Sequence, residues 1–355
     1  MKILMLTDRM ESGGAETHLE TLTLEMAKRG HKVAVLSCGG RIADRLEKRG
    51  IEQYRFPWAD GWVLWLKNAR QVFKKAQEEG RFEVFHAHTR RTAFLMERMV
   101  QGNGNAVTVA TVHAAFFCNP LLKKAYAWGE RTICVSEDLR AVVCDVFGVP
   151  AETVTVIPNG IDCDLFSATG RDSRPETILF ASRLDEDCSV GARLLCEIAP
   201  SLKSDFMELN IRIAGGGDYL EKVRELAKNA NRSCGEDVVT VLGNVSDMSA
   251  EYRKNSIFVG VSRAAMEAAA CGCAVILCGN QGYGGILTPQ NPVSALTNFC
   301  CRGEELPSGA RLEQDLRALL ENRSRLKIIA ESGRIWMQRD YHAGGMAAAT
   351  EEVYR

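Results

Sequence analysis

Ile257-Phe258-Val259-Gly260-Val261-Ser262-Arg263-Ala264-Ala265-Met266-Glu267-Ala268-Ala269-Ala270-Cys271-Gly272-Cys273-Ala274-Val275-Ile276-Leu277 is the stretch whose reading decides the fold. An apolar strand, Ile257-Phe258-Val259, runs into an Ala-rich helix, and a second apolar strand, Ala274-Val275-Ile276-Leu277, follows it. Strand, helix, strand is the repeating unit of a parallel α/β sheet. The helix carries one acidic side chain, Glu267, in its first turns. A carboxylate at the mouth of such a unit is placed to accept hydrogen bonds from a ribose diol, as in nucleotide-binding α/β folds. The plainer alternative is an acid that only complements the helix macrodipole.

The same alternation extends to both sides. Strand candidates in the first half are Ile3 to Leu6, Val33 to Leu36, Val84 to Ala87, Val107 to Val112, Arg131 to Val135 and Thr153 to Ile157. Helical patterns between them include Glu16 to Arg29, Ala43 to Arg49 and Leu64 to Glu79. A polar stretch with Gly and Pro, Ser167 to Pro175, reads as a linker. Alternation then restarts with Thr177 to Ala181, Leu209 to Ala214, Val238 to Leu242, Ser256 to Val259 and Ala274 to Leu277. Two doubly wound units in series predict two Rossmann-like domains facing each other across a deep cleft, with ligands at the C-terminal ends of the strands. The expected division is 1–165, 166–330, and a helical segment 331–355 that packs back on the first domain.

Bulk properties agree with that organisation. A chain of 355 residues can hold two domains that each bury a core. Hydrophobic content of 46% and charged content of 25% are those of an ordinary globular protein. A formal net charge of -1 gives no reason to expect nucleic acid as a partner. The apolar run at Met1 to Leu6 is too short for a signal peptide, and no apolar stretch has membrane-spanning length. The 13 cysteines are scattered, and without a secretion signal they read as reduced cytosolic thiols. Cys271-x-Cys273 and Cys300-Cys301 lack zinc-type spacing, so no metal is expected.

Several strand ends carry residues suited to ligand chemistry. The first βα turn, Ser12-Gly13-Gly14-Ala15-Glu16, opens a helix, and paired glycines let backbone amides approach an anion or a sugar; a plain tight turn is the alternative. His113 closes the strand Val107 to Val112, where an imidazole either binds a substrate hydroxyl or serves structurally. His86 and His88 flank Ala87 and are expected on opposite faces, so that at most one reaches the cleft. Asp162-Cys163-Asp164 has the spacing of a metal-binding pair but reads as turn and cap residues after Asn159-Gly160. Arg183 follows the first strand of the second half, where a guanidinium can bind a diphosphate bidentately or pair with Asp185, Glu186 or Asp187. Gly215-Gly216-Gly217, Gly243-Asn244 and the backbone-rich loop Gly279 to Gly285, with Gly284 and Gly285, end the next strands.

Taken in order, Gly13-Gly14-Ala15-Glu16, Val135-Ser136-Glu137, Pro158-Asn159-Gly160-Ile161-Asp162, Ser182-Arg183-Leu184, Gly215-Gly216-Gly217, Leu242-Gly243-Asn244-Val245 and Met266-Glu267-Ala268-Ala269-Ala270-Cys271-Gly272 resemble the family 4 retaining glycosyltransferases of GT-B architecture. The resemblance spans nearly the whole chain. It implies a UDP- or GDP-linked sugar donor held by the second domain, and a sugar or lipid-linked acceptor held mainly by the first. It implies that Arg183 neutralises the donor diphosphate, that Glu267, the second glutamate of an E-x7-E motif, binds the ribose, and that Gly14 and His113 shape the sugar site. Such enzymes need no metal or other cofactor, since cationic side chains and backbone amides carry the leaving-group charge.

Two positions depart from the family pattern. Cys188 stands where the family places a lysine five residues beyond the arginine, and the first glutamate of E-x7-E is missing with its Gly-Phe-Gly neighbourhood. Arg263 is the expected replacement cation, with Arg193 a weaker candidate. The departures keep open a catalytically weak or inactive nucleotide-sugar-binding protein on the same fold, and behind it a nucleotide-sugar epimerase. A nicotinamide dehydrogenase ranks last, for want of a dinucleotide fingerprint. The implied role is sugar transfer in cell-envelope or polysaccharide synthesis, in the cytoplasm. The aromatic and basic segment with Trp58, Trp62, Trp65, Lys67, Arg70, Phe73, Lys74 and Lys75, helped by Lys123-Lys124, is either an amphipathic helix on its own sheet or a peripheral contact with the inner membrane face.

Overall fold

The computed structural model describes residues 1–11, 13–100, 106–116, 126–172, 176–291 and 293–355, the last range by backbone alone at 293 and 294; Ser12 and Lys123-Lys124 lie outside the described residues. The chain forms two compact units, Met1–Gly160 joined by Ala343–Arg355, and Ile161–His342.

The first unit is built on seven parallel strands: β1 (Lys2–Leu6), β2 (Lys32–Ser37), β3 (Glu52–Arg55), β4 (Val84–Ala87), β5 (Val107–Val112), β6 (Arg131–Cys134) and β7 (Val154–Val156), in the order β3-β2-β1-β4-β5-β6-β7. Strand order reverses between β1 and β4, where Leu6 stands opposite Ala87. Ile3 to Leu6 are fully buried because helices cover both faces of the sheet, and alternate residues feed different cores: Ile3 and Met5 one, Leu4 and Leu6 the other. The helix Gly14–Lys28 buries His18, Leu19, Leu22, Thr23 and Met26, a stripe of helical period. The helix Trp62–Gly80 does the same with Trp65, Ala69, Phe73 and Ala76. The aromatic and basic segment is thus an amphipathic helix packed on its own sheet, with Val63 and Leu64 left on its exposed side.

The second unit has six strands: β8 (Thr177–Ala181), β9 (Asn210–Ala214), β10 (Val239–Gly243), β11 (Ile257–Gly260), β12 (Ala274–Gly279) and β13 (Gly282–Ile286), in the order β10-β9-β8-β11-β12-β13. Its order reverses between β8 and β11. The helix Ser262–Ala270 joins β11 to β12, which run parallel in register, Ile257 opposite Ala274. The strand-helix-strand reading of the opening stretch therefore holds in detail.

Three differences from expectation have physical causes. The segment Gly279 to Gly285 is not a loop: it turns back, and β13 pairs antiparallel with β12, Ile276 opposite Ile286. Glycines give no apolar signal, yet their backbone groups satisfy the open edge of β12. The polar edge strand β3 buries only Tyr54 of its four residues and carries no alternation that a sequence would show. The division falls after Gly160 rather than after residue 165, and the segment 331–355 is shared between the units. The helix Arg323–Asp340 packs Trp336 and Met337 into the second unit, while the helix Ala343–Val353 packs Met346 and Ala347 into the first. Gly160 is required at the crossing, because a Cβ there would stand 2.8 Å from the Ala343 Cα.

The returning C-terminus also carries a buried hydrogen bond. Tyr354 Oη lies 2.7 Å from Nδ1 of His86, whose Nε2 is 2.7 Å from Thr111 Oγ1. A Tyr354→Phe chain leaves that buried nitrogen without a partner and should lose about 1–3 kcal/mol of stability. Urea denaturation measures it, and an unchanged midpoint would remove this bond from the account of how the C-terminus is held.

Candidate functional site

In the second unit, the loops that leave the C-terminal ends of β8, β9 and β10 come together. Leu184 N–H donates to Gly216 O at 3.0 Å, and Gly215 N–H donates to Gly243 O at 2.8 Å. Gly216 lies so close to Asn244 that a Cβ would stand 2.6 Å from the side-chain amide. Three of the expected donor-binding positions, Gly216, Gly243 and Asn244, thus form one cluster beside Ser182-Arg183-Leu184. The expected Gly284 and Gly285 do not join it. They lie within β13, Gly284 under the Cys301 thiol and Gly285 beside Asp315, so their missing side chains serve sheet packing.

Arg183 is exposed and reaches Asp185 at 3.5 Å and the Cys188 sulfur at 4.0 Å. The Cys188 backbone N–H, 2.8 Å from Asp185, holds that carboxyl below its ordinary range. Burial pushes the Cys188 thiol up, so it is neutral at physiological pH and adds no positive charge beside Arg183. Arg193 reaches the Glu186 carbonyl at 3.3 Å.

Glu267, its side chain 13% exposed, lies in the helix that follows β11. Arg263, one turn earlier, donates Nε–H to Oε1 at 2.8 Å, and Tyr252 donates its hydroxyl to Oε2 at 3.4 Å. Burial raises the Glu267 carboxyl, and Arg263 pulls it back down. The expected replacement cation is therefore placed against Glu267 itself, as an i,i+4 pair of a buried Arg263 and a half-buried Glu267.

In the first unit, the ends of β1, β4 and β5 deliver Asp8, His88 and His113. Gly13 adopts a φ of 153°, and Gly14 faces open space where a Cβ would stand, so backbone is exposed at the start of the helix Gly14–Lys28. His113 does not stand alone. His88 Nδ1 is 3.1 Å from His113 Nε2, and His18, from the helix, sets its ring edge-on to His113 with centroids 4.7 Å apart. Asn159 Oδ1 is 2.9 Å from His18 Nδ1, which accounts for the Asn in the Pro158-Asn159-Gly160 turn. The expectation that His86 and His88 point to opposite faces is corrected: side chains two apart on a strand share a face, and these rings lie 4.2 Å centroid to centroid. Burial lowers His113 to about 4 and His86 to about 3, so both are neutral hydrogen-bonding groups rather than cations. His18, His88 and His113 bring ligand atoms within 4.8 Å of one another, a spacing compatible with a metal. Two of these rings already engage their Nδ1 atoms, His18 with Asn159 and His88 with His113. The Asp162-Cys163-Asp164 pair is a turn, Asp162 Oδ1 accepting from the Asp164 and Leu165 amides.

Sequence reasoning missed His18 and Asp8, and it named His88 only as one of two histidines of which at most one would reach the cleft. All three line or border the strand ends of β1 and β4, and the His86-x-His88 spacing was the available signal.

Both units match known families. Residues 12–165 match the family model for Glycosyltransferase Family 4, and residues 175–302 match that for Glycosyl transferases group 1. A glycosyltransferase from Rickettsia africae superposes with a TM-score of 0.78 at 18% identity, covering 99% of this chain and 97% of that one. HepE of Anabaena, solved with UDP and glucose, superposes with a TM-score of 0.75 at 17% identity, over 99% and 98% of the two chains. The two halves are glycosyltransferase-family domains of the GT-B fold. Among curated sequences, one subunit of the human phosphatidylinositol N-acetylglucosaminyltransferase is 27% identical over 308 residues, covering 79% of this chain and 61% of that one. The phosphatidyl-myo-inositol mannosyltransferase of Mycobacterium tuberculosis is 26% identical over 230 residues, 58% of this chain and 57% of that one. The chain spans about three fifths of the length of these relatives.

Asp8 in this GT-B first domain couples folding to pH. Burial pushes its carboxyl from 3.8 up to about 6, against the pull of Arg91 and a hydrogen bond with Thr89. Between those values the folded chain keeps a proton that the unfolded chain has released, so stability falls as pH rises through that window and stays lower above it. The two-unit shift corresponds to roughly 2–3 kcal/mol. Asp8→Asn should therefore match the parent near pH 4 and exceed its stability at pH 7; equal stability at both values would contradict the burial of this carboxylate.

Proposed function

We propose that the protein is a retaining, metal-independent hexosyltransferase that moves a sugar from a UDP- or GDP-linked donor to a hydroxyl of a sugar or lipid-linked acceptor. The observation that carries this reading is the half-buried Glu267, paired with Arg263 beside the strand-order reversal of the second sheet, with Arg183 and the clustered Gly216, Gly243 and Asn244 at neighbouring strand ends. Open α/β sheets bind nucleotides at such a point. The carboxylate accepts the ribose hydroxyls, Arg183 meets the diphosphate, and the backbone amides of the glycine loops complete the anion site.

The mechanism that fits these groups is front-face displacement. The bond from the anomeric carbon to the diphosphate oxygen breaks, the acceptor oxygen attacks the same face, and its proton passes to the departing phosphate oxygen. Arg183 stabilises the charge that develops on the diphosphate. In the first unit, neutral His113 and the open backbone at Gly14 offer hydrogen-bonding groups to a sugar ring. The UDP and glucose complexed with the structural neighbour HepE support a nucleotide-sugar donor, and the names of the curated relatives support a lipid-borne acceptor. No helix among the described residues is long and apolar enough to cross a membrane. Contact with a membrane surface would rest on the exposed Val63 and Leu64 beside Lys67, Arg70 and Lys74.

One observation favours a second reading, a nucleotide-sugar-binding protein with little turnover. Arg183 stands without a second cation at Cys188, and Arg263 is committed to Glu267. Calorimetry with a panel of nucleotide sugars, with donor hydrolysis followed in the same samples, separates the two readings. Glu267→Ala would leave Arg263 buried opposite no charge, so Glu267→Gln is the cleaner variant. It should weaken nucleotide binding by roughly tenfold to a hundredfold, the value of a charge-assisted hydrogen bond, while the melting curve stays cooperative. Unchanged nucleotide affinity in that folded variant would sink the ribose assignment.

A further inference from the structure

The second unit has a cavity of about 430 Å³ at the N-terminal ends of β11 and β12, where Ser256 and Gly272 line it. That size falls within the range of small-molecule sites, roughly 300–1,000 Å³. It lies at the opposite end of the sheet from Arg183 and the glycine cluster, which follow the C-terminal ends of β8, β9 and β10. The helix Ser262–Ala270 runs back between the two ends over about 13 Å. No group assigned above to the donor or the sugar lines this cavity.

Charge is its informative property. Arg171, Arg323, Lys327 and Arg334 line it, and Glu331 is the one acid among its described lining residues. Arg334 takes up that acid: Nε–H donates to Glu331 Oε2 at 2.9 Å, and Nη2–H donates to Oε1 at 2.6 Å. Three cations are left. Arg171 donates Nη1–H to the Cys271 carbonyl at 2.9 Å and Nη2–H to the Asn255 carbonyl at 2.8 Å. These bonds fix the guanidinium without bringing it a counter-ion. Gly272 makes room for it, since a Cβ there would stand 3.2 Å from Arg171 Nη1. The side chains of Arg323 and Lys327 have no ion pair or hydrogen bond among the described residues, and both are exposed, so a ligand reaches them from solvent. They stand four apart on the helix Arg323–Asp340, a spacing at which like charges repel. The first turn of that helix holds no acid, although acids are favoured there. Both features are unfavourable by themselves and become favourable against an anion.

We propose that this cavity binds an organic phosphate, its phosphate among Arg171, Arg323 and Lys327 and its organic part against Ala168, Leu326 and Ala330. A guanidinium has five N–H donors, and Arg171 spends two on carbonyls, which leaves three for phosphate oxygens. The Arg323 fork matches phosphate geometry, and the Lys327 ammonium adds a point charge. The cavity is larger than an inorganic phosphate, and the apolar residues on its wall suit a carbon skeleton. A soluble metabolite and a phospholipid headgroup offer this same chemistry. Ile328 and Ile335, 69% and 49% exposed and seven apart on the same helix, would meet the acyl region in the second case.

The site stands whether or not the chain transfers sugar, and the test keeps the two apart. Binding to the full chain is measured for inorganic phosphate, glycerol 3-phosphate and glucose 6-phosphate, and for glycerol and glucose as their neutral parents. The parallel arm uses phosphatidylcholine vesicles with and without phosphatidylglycerol. At least one organic phosphate should bind about tenfold or more tighter than its neutral parent and than inorganic phosphate, or the phosphatidylglycerol vesicles tenfold tighter than the plain ones. The preference should weaken as salt is raised. Arg323→Gln combined with Lys327→Gln should lose it, while Arg183→Gln, which removes a cation at the other end of the sheet, should keep it. Melting curves check that the variants fold, and Lys327→Gln alone, with a smaller loss, replaces the double variant if that one does not. Arg171→Gln is avoided, because it also releases two backbone carbonyls. Preference confined to the vesicles assigns a lipid headgroup; preference among free ligands assigns a soluble metabolite. The proposal is overturned if no probe binds, or if inorganic phosphate, the neutral parents and plain vesicles bind as well. It is overturned too if the preference survives in the folded double variant, or is lost in Arg183→Gln instead. Organic-phosphate preference with no nucleotide-sugar binding would keep this site and remove the transferase reading, while nucleotide-sugar binding with no such preference would do the reverse.

Discussion

A parallel sheet covered by helices on both faces leaves only its strand ends for polar chemistry, and this constraint organises both halves of the protein. Ile3 to Leu6 and Ile257 to Val259 are fully buried, so no functional side chain can stand in mid-strand. Among the described residues most connections between parallel strands return a helix over the sheet, which brings the C-terminal strand ends and the starts of the helices into one rim. Asp8, His88 and His113 occupy that rim in the first unit. Arg183, Gly216, Gly243 and Asn244 occupy it in the second. The sites therefore follow from the topology as much as from the residues.

The two rims solve the problem of buried polarity differently. In the first, imidazoles are buried without a counter-charge, and they shed their protons: His86, His88 and His113 are all lowered by burial. They become a hydrogen-bonding surface whose donors and acceptors adjust to a hydroxyl. In the second, a half-buried Glu267 has a counter-charge, and the Arg263 guanidinium together with the Tyr252 hydroxyl opposes the desolvation that raises its carboxyl. The two rims thus differ in charge before any ligand is considered.

Much of the fold was legible because a short apolar run bounded by turn residues is what a strand buried on both faces requires. Eleven of the thirteen described strands coincide with such runs. The two that did not, β3 and β13, are edge strands whose stability comes from pairing rather than from burying side chains: Glu52-Gln53-Tyr54-Arg55 is polar, and Gly282-Tyr283-Gly284-Gly285 is largely without side chains. The site was legible one residue at a time. Glu267 and Arg183 stand out against their neighbours, whereas Arg263 was read as a free cation because a sequence does not say that positions 263 and 267 turn the same buried face. The error over His86 and His88 came from the strand's own geometry, and with it the histidine cluster was missed.

What the amino-acid order determined by itself is local: which segments are strands, which are helices, where the glycine turns open a helix, and that one acid and one arginine follow β11 and β8. Tertiary structure alone decided what those residues meet. His18, His88, His113 and Asn159 are separated by up to 141 positions, yet they form one cluster because β4 and β5 lie side by side in the sheet. The last thirteen residues, Ala343 to Arg355, belong to the first unit although they follow the second, because Tyr354 and Met346 complete a core that the first 160 residues leave open. Period and composition specify a face to be buried, and only the assembled sheet specifies against what.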